Sequence, residues 1–421
     1  NQVTKNATLN FRIDQFRNKL TISDRINGLD DIPTTLKKML INTHMSEEPV
    51  YKSEVENGFY NAEGDLIEIE ESTIIQRKFG SNSTFIGVDE VIVPKALSSV
   101  TGLLYLDPDY LTYLMALEYA NLTGALKEEE IEYSLFAIPE SALVKELSLQ
   151  VEWRTWRKDR YDLIAYDYSQ EKMVDRERDE ISEKMFNQIG VEPIQGIARK
   201  EFIETLNQKH IVINNEDQTI TGGSPSRFGY MGDSLITVNF KKVGERSYNG
   251  NVYEIDGWLQ FPSKTLLTQL AGTKYLELLI KAGLATKYEL RFTNETDRYT
   301  IFLPTNEALD KANANSLSGD SLKRFLLGHI LKDELIFTDG RRDYGNYRTM
   351  NPRKEGAGYV QMMIQPDIDV IEILDQDLNT ITEITEEEDK TNIIAVKSLN
   401  EIQVTSAVLH KIDTVLQNTA Y

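Results

Sequence analysis

The chain has 421 residues, of which 40% are hydrophobic, and this length is typical of two to four globular domains. Its formal charge of −21, from 67 acidic and 46 basic residues, repels phosphate groups and so argues against nucleic-acid or anionic-lipid partners. The chain contains no cysteine, which excludes disulfides, thiolate metal sites and cysteine nucleophiles.

Residues 1–97 show the end of a helix and a short strand. Apolar residues at helical spacing run from Leu36 and stop at His44, so we predict a helix that ends there. The stretch from Phe85 alternates like a strand and stops at Asp89, whose short carboxylate suits a turn. The beginning of this region has no recognisable strand, and we interpret it as divergent or truncated.

Residues 98–262 contain the same two features after two additional ones. An apolar-periodic helix is predicted at 110–122, and a buried strand is predicted to stop at Pro139, which cannot donate to a strand ladder. Apolar residues at the same spacing then run from Phe202 to His210, and an alternating strand stops at Asp256. We predict a second helix that ends at His210.

Residues 263–421 repeat this order. A helical region at 266–284 precedes a strand that stops at Pro304, and a polar residue after the proline caps the next helix. A further helix is predicted to end at His329, and the last strand stops at Asp413. We interpret the three histidines, the three aspartates and the two prolines as structural landmarks rather than site residues.

The landmarks recur with one period. The three aspartates are separated by 167 and 157 residues, and His44 and His210 by 166. A repeat of about 160 residues predicts tandem α+β domains, each with helices packed on a β-strand core. The predicted domains are 1–97, 98–262 and 263–421.

Three blocks of this repeat resemble the fasciclin family: Thr300–Leu309, Leu322–Ile330 and Val408–Leu416. The resemblance implies extracellular adhesion and ligand binding without catalysis. In the last block, the position of His410 is interpreted as Glu254 in the second domain and Gly87 in the first.

The spacing of the landmarks predicts two added regions. Pro139 and His210 are 71 residues apart, whereas Pro304 and His329 are 25 apart, so an insertion is predicted at about 145–190. His329 and Asp413 are 84 residues apart, against 45 and 46 in the other two domains, which predicts an extended strand region at about 338–395.

Both added regions are basic and aromatic, and these residue types are enriched at interface hot spots. The predicted binding residues are Trp153, Trp156, Arg157, Arg341, Tyr344 and Tyr347. The alternative is that their side chains pack each insertion onto its own domain.

Gly-Asp-Ser-Leu occurs at 232–235 and 319–322 and is similar to the nucleophile segment of one esterase class. No histidine is preceded by aspartate at the spacing that this class requires, so an esterase built on Ser234 or Ser321 is the remote alternative. Asp320 or Ser321 more simply caps the helix that ends at His329. We therefore expect no catalytic residue, no metal and no cofactor.

The sequence thus predicts a non-catalytic cell-surface protein that binds protein or glycan partners. Its tandem, acidic, cysteine-free composition resembles that of Bacteroidetes-type surface lipoproteins, and the alternative function is a carbohydrate-binding accessory of an outer-membrane nutrient-uptake complex. No apolar run of about 18 residues is present to span the membrane, so we expect a lipid anchor upstream of Asn1 in a mature or incomplete chain.

Overall fold

The computed structural model describes most of the chain and divides it into two compact units. The N-terminal unit comprises residues 1–193, 225–228 and 240–258, and the C-terminal unit comprises 194–224, 229–239 and 259–421. The described residues are 32, 34–89, 91–145, 149–153, 161–167, 172–175, 178–224, 236–259, 261, 264–294, 296–354, 357–387, 390–396 and 404–416. The predicted division into three domains stays a prediction.

The N-terminal unit begins with small helices and two hairpins. These are α1 (Thr34–Thr43), α2 (Lys52–Asn57), the pair β1 (Phe59–Tyr60) and β2 (Leu66–Ile67), and the pair β3 (Ile74–Phe79) and β4 (Thr84–Val88). His44 directly follows α1, and its Nδ1 donates to the carbonyl of Leu40 at 2.7 Å. Asp89 directly follows β4, as the sequence predicts.

Short helices then precede a fully buried strand. The elements are α3 (Lys95–Ser98), α4 (Gly102–Leu106), α5 (Leu111–Tyr119), β5 (Tyr133–Ala137) and α6 (Glu140–Lys145). Every residue of β5 is buried, and Pro139 lies between β5 and α6. The Tyr113 hydroxyl donates to the carbonyl of Phe136 at 2.9 Å and so fixes α5 on this strand.

The predicted insertion contains an antiparallel three-stranded sheet. Its strands are β6 (Leu149–Trp153), β7 (Tyr161–Asp167) and β8 (Lys172–Asp175), followed by α7 (Arg178–Asn187) and β9 (Ile189–Gly190). β9 returns to β5, with which it pairs antiparallel.

Four further strands follow: β10 (Lys200–Glu204), β11 (His210–Asn214), β12 (Thr219–Ser224) and β13 (Ile236–Ser247). The first three belong to the C-terminal unit, and β13 divides between the two units at residue 240. In the N-terminal unit, the rest of β13 pairs with β14 (Gly250–Ile255), which lies parallel to β5. The short strand β15 (Trp258–Leu259) follows.

The helix predicted to end at His210 is wrong. Residues 202–210 form the end of β10, a turn and the start of β11, with Gln208 at a positive φ of 55° in the turn. Short apolar runs do not distinguish a buried strand from a helix. Glu201, Phe202 and Ile203 are all buried, as in a strand covered on both faces, so tertiary packing decides the conformation.

The C-terminal unit continues with helices around a central strand. These are α8 (Leu266–Leu270), α9 (Lys274–Lys281), β16 (Tyr299–Pro304), α10 (Asn306–Lys311), α11 (Gly319–Leu327) and β17 (Ile330–Lys332). Thr265, Thr273 and Thr305 cap α8, α9 and α10 with their side-chain oxygens. The helices pack their apolar faces onto β16, whose six residues are all buried.

The remaining strands form an antiparallel meander and return to β16. They are β18 (Gly345–Pro352), β19 (Tyr359–Asp367), β20 (Val370–Leu374), β21 (Thr380–Thr385), β22 (Ile393–Val396) and β23 (Thr405–Ile412). The sheet order is β21-β20-β19-β18-β17-β16-β23-β22. β23 lies parallel to β16, and β17 lies antiparallel to it.

The same central arrangement therefore occurs twice. β5 and β16 each lie between a parallel closing strand and a short antiparallel strand. Both units combine helices with a buried sheet, which confirms the α+β fold predicted for tandem domains of this type.

The register of these strands corrects two equivalences. Tyr253 lies opposite Phe136 as His410 lies opposite Phe302, so Tyr253 rather than Glu254 takes the place of His410. The amide of Phe136 donates to the carbonyl of Gln188 at 2.9 Å, as the amide of Phe302 donates to that of His329.

The added regions shrink accordingly, because Gln188 rather than His210 takes the place of His329. Phe136 and Gln188 are 52 residues apart and Phe302 and His329 are 27 apart, so the insertion is 25 residues longer rather than 46. Gln188 and Asp256 are 68 residues apart against 84 in the C-terminal unit, an excess of 16 rather than 38.

Candidate binding surface

His410 is part of the buried core of the C-terminal unit. Its ring stacks on Phe302 at 5.8 Å between centroids, and its Nε2 donates to the carbonyl of Ile336 at 2.8 Å. Its Nδ1 accepts from the Thr391 hydroxyl at 2.6 Å and from the Asn392 amide at 3.2 Å. Burial lowers the pKa of His410 to about 4, so the ring is neutral at physiological pH.

His329 is also neutral and fully bonded. Its Nδ1 donates to the Phe325 carbonyl at 2.8 Å, and its Nε2 accepts from the Leu416 amide at 3.0 Å. Burial lowers its pKa to about 4. Both histidines therefore act as hydrogen-bonding members of the core, as the sequence interpretation proposed for His329.

Arg341, one of the predicted binding residues, lies inside a polar cluster. Its Nη2 contacts Oε2 of Glu201 at 2.5 Å, and its Nε lies 3.4 Å from Oδ2 of Asp339. Glu201 is 1% exposed and also accepts from the amides of Gln195 and Gly196. The side chain of Arg341 thus neutralises a buried carboxylate within its own unit, which limits its contact with a partner.

In contrast to Arg341, a set of side chains on the hairpin β18–β19 is turned outward from the core. Residues of β19 alternate strictly, with Val360, Met362 and Ile364 turned into the core and the residues between them turned outward. The register pairs Asn346 with Met363 and Arg348 with Gln361. We define the outer face as Tyr344, Asn346, Arg348, Tyr359, Gln361 and Met363.

An arginine and a tyrosine stack at one end of the outer face. The guanidinium carbon of Arg348 lies 4.0 Å from the ring centroid of Tyr359, and Tyr359 is 40% exposed. Arg353 extends this end, because its Nε donates to the carbonyl of Tyr359 at 3.2 Å. Among the described residues, no carboxylate forms an ion pair with Arg348 or Arg353.

Tyr344 lies at the other end. Its hydroxyl donates to Sδ of Met363 at 3.1 Å, and 54% of the residue is exposed. Tyr347 points the other way: it packs on the core beside Met362, and its hydroxyl donates to the Asp343 carbonyl at 2.5 Å. Burial raises the pKa of Tyr347, in line with an internal position.

Residues 271–418 match the family model of the fasciclin domain. This part of the chain is similar to a fasciclin domain. The chain is also similar to the fasciclin-like arabinogalactan protein elcF of Phaeosphaeria nodorum, with 28% identity over 164 residues, 37% of this chain and 49% of the relative. The matched region thus spans about half the length of that curated relative.

A solved structure is also similar to the chain. It is a FAS1 domain pair from the insect cell adhesion molecule Fasciclin I, with 14% identity, a TM-score of 0.25, and coverage of 73% of this chain and 95% of that one. Fasciclin domains are associated with cell adhesion and protein interaction, and the family is generally non-catalytic and extracellular or at the cell surface.

The outer face lies in the part of the chain that is similar to a fasciclin domain, because residues 341–363 fall within the matched range. Of its six residues, only Tyr344 was among the predicted binding residues. The signal that could have found Tyr359 and Gln361 is the two-residue alternation of 359–367, in which four of the five outward positions are polar or aromatic.

The predicted binding residues of the insertion are only partly described. Trp153 ends β6 and pairs in register with Tyr161. Trp156 and Arg157 lie outside the described residues, as does Ser234. Their proposed contact with a partner stays a prediction.

Ser321 lies on the exposed side of α11 near its start. The N-cap of α11 is Ser318, so neither Asp320 nor Ser321 has the capping role that was predicted. The ring nitrogens of the two core histidines bond to the groups named above rather than to Ser321.

No helix among the described residues combines the length and apolar character needed to cross a bilayer. The residues placed by the structure also contain no group of three or more histidine or acidic side chains arranged to hold a metal ion.

Proposed function

We propose that the chain is a non-catalytic cell-surface interaction protein, which binds a partner through the outer face of its fasciclin domain. The observation that carries the proposal is the exposed pair of Arg348 and Tyr359, which lies on the same face of one hairpin as the exposed Tyr344. Tyrosine and arginine are the residue types that contribute most to interfaces.

The basic and aromatic residues of this segment divide into those with partners inside the unit and those that are exposed. Arg341 and Tyr347 have partners inside the unit, so a change at either position acts first on folding. Arg348, Tyr344 and Tyr359 expose their side chains on strands whose inner positions are anchored by Met362 and Ile364. A partner therefore meets preorganised side chains, which lowers the entropic cost of binding.

The finer location is also part of the proposal. The acidic, cysteine-free composition supports a bacterial outer-membrane lipoprotein, with a carbohydrate-binding accessory role in nutrient uptake as the alternative. Sequencing the gene upstream of Asn1 tests it: a lipoprotein signal that ends in cysteine supports the location, and a gene without one contradicts it.

Adhesion of beads coated with the full chain tests the interaction function. We expect the coated beads to adhere to cells of the source organism more than albumin-coated beads do. The double substitution Tyr344→Ala with Arg348→Gln should reduce adhesion to the albumin level, because both side chains are exposed and free to contact the partner.

The matched control is Arg291→Gln, which removes another half-exposed arginine of the same unit, one that is paired with Glu289. This variant should adhere like the wild type. Equal adhesion of the wild type and the double variant would place binding elsewhere. If wild-type beads adhere no better than albumin beads, the proposed function is wrong.

A further inference from the structure

The outer face lies in a basic segment of an acidic chain. Residues 341–359 contain five basic and two acidic side chains, whereas the chain as a whole carries −21. Arg341 is neutralised internally, but Arg348 and Arg353 have no ion pair with a described carboxylate. Charge complementarity therefore favours an anionic partner at this end of the hairpin.

The geometry of Arg348 favours a planar anion. The guanidinium is held on the ring of Tyr359 by a cation–π contact, which leaves its N–H edge for a ligand. Two parallel N–H groups on a fixed plane match the two oxygens of a carboxylate. The side chain is already ordered, so less conformational entropy is lost when the ligand binds.

The sheet excludes one common way of binding a peptide. β18 lies between β17 and β19, and β19 lies between β18 and β20, so neither strand offers a free edge for an added strand. A chain that crosses the outer face meets side chains only. From Tyr359 to Met363 this path covers about 13 Å, at roughly 3.3 Å per residue.

The side chains along this path suit sugar rings. Tyr344 supplies an exposed aromatic ring on which the flat C–H face of a pyranose can stack. The amide of Asn346 projects from this face between Tyr344 and Arg348, and that of Gln361 projects from it opposite Arg348, so both can bond hydroxyl groups. Beyond β19 the face becomes acidic, because Glu372 lies opposite Glu383, and this limits an anion to the half with Arg348.

We propose that the outer face binds an acidic polysaccharide, in which a ring carboxylate pairs with Arg348 and a neighbouring ring stacks on Tyr344. This assignment rests on the proposed function and adds the chemical class of the ligand. Arg353 supplies a second cation at the same end.

Calorimetric titration of the full chain with polygalacturonate, a polymer of uronate rings, tests the proposal. Arg348→Gln should weaken binding at least tenfold, and Arg353→Gln provides a second variant with the same direction of effect. Tyr344→Ala should weaken binding several-fold. Arg291→Gln should leave binding unchanged, because this arginine is paired with Glu289 outside the outer face.

Two further polymers separate the contribution of the carboxylate charge to binding from that of the sugar rings. Methyl-esterified polygalacturonate keeps the rings and loses the charge, and we expect it to bind at least tenfold more weakly. Poly-glutamate keeps the charge without the rings; it should bind weakly and be insensitive to Tyr344→Ala. Poly-glutamate binding as tight as polygalacturonate would overturn the assignment to a glycan, and no binding of either would overturn the assignment to an anion.

The bead assay distinguishes this failure from failure of the proposed function. If polygalacturonate does not bind but adhesion still depends on Tyr344 and Arg348, only the ligand class is wrong. If adhesion is also unaffected by both substitutions, the outer face is not the binding surface.

Discussion

Two strand pairs, β5–β14 in the N-terminal unit and β16–β23 in the C-terminal unit, follow one plan with different side chains. Phe136 stacks on Tyr253 at 5.7 Å between centroids, and Phe302 stacks on His410 at 5.8 Å. The ring of Tyr253 contains no polar atom, and only its hydroxyl needs a hydrogen-bond partner. The ring of His410 contains two nitrogens, and both need a partner when the ring is buried.

The two units also differ at Gln188 and His329, the residues whose carbonyls accept from the amides of Phe136 and Phe302. His329 bonds through both ring nitrogens, whereas the side-chain amide of the fully buried Gln188 has no hydrogen-bond partner among the described residues at either its nitrogen or its oxygen. The C-terminal unit therefore depends on a satisfied polar network at positions where the N-terminal unit does not. Four substitutions or conditions test this difference.

The largest effect of a single substitution is expected for His410→Ala. The change opens a cavity and leaves the Asn392 amide and the Ile336 carbonyl unbonded, so the free energy of unfolding should fall by about 3–5 kcal/mol. Hydrogen-exchange protection of the β16 and β23 amides measures this loss, with exposed Glu383→Ala on the same sheet as control. Unchanged protection would show that His410 does not stabilise the unit.

Acidification should destabilise the C-terminal unit selectively. The pKa values of His410, His329 and His210, all in the C-terminal unit, are about 4 in the folded chain, below the ordinary 6.5, so the unfolded chain binds their protons first as pH falls. Stability is full above pH 6.5 and is lost as pH falls from 6.5 towards 4, by up to about 3 kcal/mol for each histidine.

Hydrogen exchange at pH 7, 6 and 5 measures this effect after correction for the intrinsic exchange rate. The amides of β16 should lose protection more steeply than those of β5, whose unit has Tyr253 and Gln188 at these places. Parallel losses in the two strands would contradict the assignment to the buried histidines of the C-terminal unit.

Arg341→Gln should cost about 2–3 kcal/mol, because it leaves the buried carboxylate of Glu201 without its cation. The matched change Arg348→Gln removes a charge that has no described acidic partner, so its effect on stability should stay within about 0.5 kcal/mol. Urea unfolding followed by far-UV circular dichroism compares the two. A larger loss for Arg348→Gln would reverse the assignment of Arg341 to folding and Arg348 to binding.

The smallest effect, with the opposite sign, is expected for Gln188→Leu. Removing an unbonded buried amide should raise the stability of the N-terminal unit by about 1 kcal/mol. Tryptophan fluorescence reports this unit, because Trp153, Trp156 and Trp258 all belong to it. His329→Leu should instead lower protection of β16, and a loss for Gln188→Leu would show that its amide is bonded in solution.

Much of the strand–proline–helix pattern could be predicted from the sequence. The buried run before Pro304, the Thr305 cap and the closing strand that ends at Asp413 are local signals: hydrophobicity, a missing donor and a capping oxygen. Each of these signals depends on residues within a single element, so it predicts that element without knowledge of the tertiary contacts.

The pairing of strands that are distant in the chain could not be predicted from the sequence. Phe202 to His210 has an apolar pattern that fits either a helix or a buried strand, and the packing of Phe202 on Phe337 at 4.4 Å between centroids decides for the strand. The equivalence of Gln188 with His329 and of Tyr253 with His410 likewise depends on register, which residue identity alone does not reveal.

The charge and the basic aromatic segment that contains Arg341, Tyr344 and Tyr347 can be read from the amino-acid sequence alone. Which of these side chains are exposed depends on how the strands and helices pack. Arg341 and Tyr347 are enclosed by groups distant in the chain or by the core, and Tyr344 is not. The physical reason is that the solvent exposure of a side chain depends on contacts between elements that are distant in the sequence. These contacts form only when the sheet and helices pack together.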